Sequence, residues 1–139
     1  MSITVNYDKR AVNTEAFAIL AEAWNEMTIE GITPDGAGAP PYGPDAEVLY
    51  AVSKEGDIVG VLAWEGTDEV VDLKLAYVEP SSRESGVFRQ LFEVLKERAY
   101  SSGSRRIVCS VSTTAQAAIR AMASVGCEQT NVTFESKVV

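Results

Sequence analysis

Between Val78 and Arg89 the chain reads Val-Glu-Pro-Ser-Ser-Arg-Glu-Ser-Gly-Val-Phe-Arg. An apolar run ends at Pro80, a short polar turn carries Gly86, and apolar residues at helical spacing follow at once. Such a strand–turn–helix leaves several backbone N–H groups pointing outward at the positive end of a helix. Phosphate is the natural ligand of that arrangement. Gly86, lacking a Cβ, would let an anion come close to the main chain. Arg83 and Arg89 would add charge-assisted bonds. A plain turn glycine is the simpler role open to Gly86.

Other chemistries are excluded by composition. The chain has no histidine, which removes the commonest general base and every Ser-His or Cys-His nucleophile pair. Cys109 and Cys127 do not form a Cys-x-x-Cys pair, so no zinc or other metal site is expected, and both read as reduced core thiols. A net charge of −8 argues against nucleic acid as a partner. That charge is uneven. Residues 26–79 carry twelve acids against Lys54 and Lys74, whereas residues 80–126 carry three acids against seven bases. One half would welcome a polyanion and the other a cation; two solvated faces of unequal charge would look the same.

The elements that must position the turn follow from periodicity. The 139 residues are read as one domain, residues 1–139. No apolar run approaches the roughly 20 residues of a membrane span, and Met1–Asp8 lacks a signal-peptide core, so no membrane and a cytoplasmic location are expected. Ser2–Tyr7 alternates as a first strand. Asn13 or Thr14 would cap a helix to about Met27, with Phe17, Leu20, Ala21 and Trp24 on one stripe. A Gly- and Pro-rich loop, Ile32–Asp45, comes next. Glu47–Ser53 and Ile58–Glu65 pair across Lys54-Glu55-Gly56-Asp57 as a hairpin. In the strand Glu69–Val78 the alternation puts Val71, Leu73, Leu75 and Tyr77 on one face. The helix after the turn carries Val87, Phe88, Leu91, Phe92, Leu95 and Ala99 on its stripe and stops at Ser101-Ser102-Gly103. A strand Arg105–Ser112, a helix Ala115–Val125 capped by Thr113 or Thr114, and a last strand Glu128–Val139 with Val132 and Phe134 inward complete the chain.

Val78, Pro80, Arg83 and Gly86 also fall where the GNAT acetyltransferase superfamily has a strand ending Val-x-Pro and then Arg/Gln-x-x-Gly-x-Gly/Ala opening a helix. Gly103, strand Ile107–Val111, Ala118 and Gly126 fall where that family places its second half, so the chain resembles it over most of its length. The resemblance implies an α+β fold: a mixed, centrally splayed sheet flanked by helices, in the order β-α-β-β-β-α-β-α-β. It implies N-acetyl transfer from acetyl-CoA to an amine, of small-molecule or peptide origin. The backbone N–H groups of Arg83, Glu84, Ser85, Gly86, Val87 and Phe88 would hold the pyrophosphate. Backbone edges at Ala76, Tyr77 and Val78, opened by a bulge that the alternation does not show, would hold pantetheine and polarise the thioester. Asp72 lies near where family members carry an acid facing the cleft, and is the first choice as base, with Glu69 second. Pairing of Asp72 with Lys74 or Arg106 is the plainer role. The loop Ile32–Asp45 would wall the acceptor.

This chain departs from the family pattern in four places. Glu84 and Phe88 stand where the commoner form of the family's motif has a second and third glycine. Ala115 replaces an Asn, and Met122 replaces the Tyr that protonates the leaving thiolate, which Met cannot do. These departures keep a second reading open, a catalytically weak or inactive fold acting as a binding or regulatory module. The short last strand leaves an edge that a second copy would complete as a homodimer.

Overall fold

The structure is a computed structural model that describes residues 2–10, 17–29, 42–43, 45–66, 68–111, 115–131, 134 and 136. Among these, five strands lie side by side in chain order: β1 (Ile3–Asp8), β2 (Glu47–Ser53), β3 (Ile58–Gly66), β4 (Val70–Val78) and β5 (Arg106–Cys109). The first four pair antiparallel and β5 runs parallel to β4. Helices α1 (Phe17–Ile29), α2 (Val87–Ser101) and α3 (Gln116–Ser124) complete the described elements. The mixed α+β sheet with helices on its faces is the expected architecture.

Each face of the sheet has its own core. On one, Leu49, Leu62, Trp64 and Leu73 meet Val87, Leu91, Phe92 and Leu95 of α2. On the other, Val48, Val61, Ala63 and Leu75 meet Ile19, Leu20 and Ala23 of α1. A leucine buried this completely stabilises the fold by about 1.5–3 kcal/mol relative to exposure. The α2 stripe is the expected one, with Phe88 at its half-buried margin. The α1 stripe is not: Ala21 is exposed, and the buried row is Ile19, Leu20, Ala23 and Trp24. The helix is turned so that adjacent residues straddle the contact line, a choice that a row of apolar residues on several sides leaves to packing. The Phe17 side chain and the caps at Asn13 and Thr14 lie outside the described residues.

The central irregularity sits in β4. Ala63 pairs with Leu75, but the next residue, Trp64, pairs with Leu73, so Lys74 is an extra residue with no partner on β3. A one-residue bulge reverses the faces on either side of it. Val71 and Leu73 therefore join the α2 core, and Leu75 and Tyr77 join the α1 core. The expectation that these four share one face is corrected by this register shift. Pairing with β5 covers Val70–Leu73 and stops there, one residue before the bulge. From Lys74 onward the outer edge of β4 has no strand beside it among the described residues, and the sheet is open at that point.

Two further boundaries move. Strand β5 is four residues rather than eight, and the last strand is not found on the described residues after Gly126. Phe134 is 91% exposed rather than inward. Val132 and the caps at Thr113 and Thr114 lie outside the described residues.

Helix α2 approaches the sheet closely only because Gly60 has no side chain. A Cβ there would sit 2.8 Å from Val87 Cγ1 and 3.2 Å from Leu91 Cδ1. Val87 is stiff at χ1, so the helix itself would have to move. Gly60→Ala should destabilise the protein by about 1–3 kcal/mol, measured as the urea midpoint at unchanged slope. An unshifted midpoint would show that α2 is not seated as described.

Candidate functional site

The turn from β4 into α2 is tied to itself. The Glu79 amide donates to the Val59 carbonyl at 2.9 Å, keeping the chain on β3 as it leaves the strand. The Glu79 carboxylate accepts the hydroxyls of Ser81 and of Ser82, the latter at 2.6 Å. These bonds, Ser81 first, hold Glu79 below the usual carboxylate range. Pro80–Ser82 is one turn of 3₁₀ helix, the Ser82 side of which is buried, and the Ser85 hydroxyl donates back to the Ser82 carbonyl. Proline suits the start of such a turn because its fixed φ and missing donor cost nothing there.

Gly86 then caps α2 at φ +88°, in the left-handed region. Its carbonyl accepts the Gln90 amide at 3.1 Å. Among the described residues the amides of Gly86, Val87 and Phe88 meet no hydrogen-bond acceptor. A Cβ built on Gly86 would find only Gln90 Nε2, at 4.0 Å, among the described residues. The Phe88 ring lies against Phe92, centroids 5.8 Å apart, at the margin of the α2 core. Glu84 is exposed and holds φ +62°, a left-handed conformation that a side chain disfavours. The glycine that the family motif places here would hold it without strain.

The two arginines point elsewhere. Arg83 Nε donates to the Val78 carbonyl at 2.7 Å, and its Nη2 meets Glu26 Oε1 of α1 at 2.8 Å. Its guanidinium carbon also stands 5.4 Å from the Tyr77 ring centroid. The Tyr77 hydroxyl donates to Glu26 as well; burial and then this bond push Tyr77 up to about 12, and the bonds from Tyr77 and Arg83 lower Glu26. Arg89 Nη2 donates to the Ser124 carbonyl at 2.8 Å, at the negative end of α3. In the sequence Glu26 is one of the twelve acids of residues 26–79. Nothing local signals a contact across 57 residues.

On β4, Ala76 is exposed while its neighbours Leu75 and Tyr77 are buried or half-buried. It shares the α2 face with Val78, so the gap above it opens toward the start of α2. Asp72 lies before the bulge and forms an ion pair with Lys74, Oδ2 to Nζ 2.7 Å, which raises Lys74. The plainer pairing foreseen for Asp72 is thus present. Glu69 precedes β4 at the end remote from the turn. Over the strand's nine residues, at about 3.3 Å each, that is roughly 30 Å from Val78. The structure brings Ala76, Tyr77, Val78 and Arg83–Phe88 together, places Asp72 midway, and leaves Glu69 apart.

Ala115 is buried at the start of α3, and Met122 packs on the α2 core. Neither offers a proton. Both cysteines are free, and burial pushes the Cys109 thiol up to about 11. Of the loop Ile32–Asp45 only Tyr42, Gly43 and Asp45 are described; the Gly43 amide donates to Glu65 Oε1 at 3.1 Å. Among the described residues no helix is long and apolar enough to cross a membrane, and no cluster of His, Cys, Asp and Glu could hold a metal.

Solved structures share this architecture. An aminoglycoside acetyltransferase, HMB0005, from an uncultured soil metagenomic sample superposes with a TM-score of 0.68 at 22% identity, covering 100% of both chains. A ribosomal-protein-alanine N-acetyltransferase from Brucella melitensis biovar Abortus 2308 gives 0.73 at 14% identity, covering 99% of each. The aminoglycoside acetyltransferase AAC(6')-Iy, in complex with a bisubstrate analogue of coenzyme A, gives 0.64 at 17% over 100% of both. At these identities the likeness is one of fold. Among curated proteins no sequence match is found. The family model described as Acetyltransferase (GNAT) family matches residues 16–126. With that match spanning most of the sequence, this chain belongs to the GNAT acetyltransferase family.

Proposed function

We propose that the protein is an N-acetyltransferase that moves an acetyl group from acetyl-CoA to an amine. The observation that carries this reading is the set of amides at Gly86, Val87 and Phe88, which meet no acceptor among the described residues at the positive end of α2, and which follow a β4 edge that no described strand pairs beyond Leu73. A diphosphate fits the amides, and the extended pantetheine arm fits the strand edge. The solved AAC(6')-Iy complex with a coenzyme A bisubstrate analogue supports the same use of the fold.

Acetyl-CoA supplies an activated thioester carbonyl. The protein's part is to hold that carbonyl against fixed main-chain donors at Ala76–Val78 as negative charge grows on its oxygen, and to present the amine without its proton. Asp72 is the proposed proton acceptor, through water, and must give up Lys74 to serve. Glu69 is the second proposed acceptor and would need a long water relay from its end of β4. Arg83 and Arg89 act on the cradle through its framework, since their guanidinium groups are already engaged. Ser85 and Glu84 contribute main chain.

Met122 and Ala115 favour a second reading, a fold that binds coenzyme A and turns over slowly or not at all. Loss of one general acid costs about 10²–10⁴-fold. Substrate and turnover separate the two readings: both bind coenzyme A, and only the first acetylates amines from a panel at a measurable rate.

Calorimetry at moderate salt should show coenzyme A binding, and Gly86→Trp should abolish it, because the indole fills the space before the amides. Retained binding in that variant would move the site elsewhere. Asp72→Asn should cut kcat by about 10²-fold or more and leave coenzyme A affinity within a factor of about two; loss of both together, or of neither, would remove Asp72 as base. Glu84→Gly should relieve the left-handed strain of about 1 kcal/mol and remove a negative charge beside the pyrophosphate. It should hold or raise Tm and tighten coenzyme A severalfold at low salt, with the gain fading as salt rises. Weaker binding in Glu84→Gly would show that the carboxylate helps the cradle.

A further inference from the structure

Glu26 sits on α1, on the opposite side of the sheet from α2, yet it holds the arginine of the turn. Its carboxylate takes Arg83 Nη2 at 2.8 Å and the Tyr77 hydroxyl, while Arg83 Nε holds the Val78 carbonyl at 2.7 Å. The Arg83 guanidinium lies over the Tyr77 ring. One planar group thus bridges three elements: α1, the last two residues of β4, and the turn leading to Gly86. The pair is only partly buried, 44% and 26% of the two side chains being exposed. Its role is therefore weighed by what it holds in place, not by the stability it adds.

We infer that Glu26 is a positioning residue for the coenzyme A cradle, fixing Arg83, and through it the amides of Gly86–Phe88, from the α1 side. This rests on the acetyltransferase reading above. The chemistry has a distinctive sign. Pyrophosphate is a polyanion, so removing a nearby carboxylate should tighten its binding by Coulomb's law alone. A clamp predicts the reverse. Without Glu26, Arg83 loses the carboxylate that holds its Nη2 and the turn loses that brace, so affinity falls. Lysine at position 83 would not rescue it, since a single ammonium cannot span Val78 and Glu26 as the fork does.

The test is calorimetry with coenzyme A on wild type, Glu26→Gln, Tyr77→Phe, Arg83→Lys and the exposed control Glu97→Gln, each checked for folding by thermal unfolding and near-ultraviolet circular dichroism. The isosteric Glu26→Gln should bind on the order of five- to tenfold more weakly, with KM for the acyl donor raised and kcat little changed. Tyr77→Phe should show a smaller loss in the same direction, and Arg83→Lys should match Glu26→Gln. Equal or tighter binding by a folded Glu26→Gln protein overturns the clamp. Wild type that binds no coenzyme A overturns the acetyltransferase reading, and the clamp with it; the two failures are told apart by the wild-type titration.

Discussion

Everything at this site depends on one extra residue in one strand. Lys74 has no partner on β3, and that single skip does three things at once. It reverses the faces of β4, so that Tyr77 leaves the α2 side and meets Glu26 on α1. It comes immediately after β5 stops pairing, so the sheet opens just where a thioester arm would need main-chain donors. It also places Ala76, with its small side chain, on the side facing the start of α2. A regular strand would have put Tyr77 on the α2 face, between the sheet and the helix mouth. The bulge is better regarded as the device that builds the cleft than as an irregularity of the sheet.

The turn that follows donates its Ser82 and Arg83 amides to the Glu79 and Pro80 carbonyls, so the Arg83 amide is not the phosphate donor expected of it. Its other bonds leave the end of the turn at Gly86–Phe88 untouched. Glu79 takes two serine hydroxyls, Ser85 bonds Ser82, and Arg83 reaches Val78 and Glu26. None of these consumes the amides of Gly86, Val87 or Phe88. A cradle ordered before its anion arrives loses little entropy on binding, which is where preorganisation gains affinity. The strain at Glu84, φ +62°, is the counterpart: one residue sits in an unfavourable conformation so that the chain can turn into the helix. The acids near the turn are a smaller obstacle than their count suggests. Glu79 and Glu26 are both engaged by donors within the framework, which leaves Glu84 as the exposed carboxylate of the turn itself.

Some of this was legible in the residues. The α2 stripe from Val87 to Ala99 has helical spacing and polar residues opposite, so one reading fits it. Gly56 between two alternating runs marks the hairpin as plainly. The β4 bulge was hidden for a physical reason. In Val-Asp-Leu-Lys-Leu-Ala-Tyr an apolar side chain recurs every second residue, and both faces of the sheet are apolar cores, so a shift by one leaves the pattern looking continuous. The α1 stripe failed in a similar way: Ala21 and Ala23 are interchangeable to periodicity, and only the sheet decides between them. The Glu26–Arg83 contact had no local signature at all, and the ion pair of Asp72 with Lys74 was visible as i, i+2 neighbours on a strand. The family motif pointed to the turn at Gly86; the geometry showed what braces that turn.

Met122 shifts the chemical burden toward that braced framework. A thiol leaving group with a pKa near the ordinary thiol range of about 8.5 departs as thiolate near neutrality with modest penalty. Protonating it is therefore the most dispensable of the three tasks in acyl transfer from a thioester. Polarising the carbonyl is not dispensable, because charge on the oxyanion has no other sink, and main-chain donors on the open edge of β4 are the groups suited to it. Freeing the amine of its proton falls between, and the half-buried Asp72, already held by Lys74, is free for that work only where substrate displaces the lysine. For the proposed acetyl transfer, the order of these costs favours keeping the strand edge and the turn intact while tolerating Met on α3, and it makes the bulge at Lys74, not the residue at position 122, the feature on which that proposal depends most.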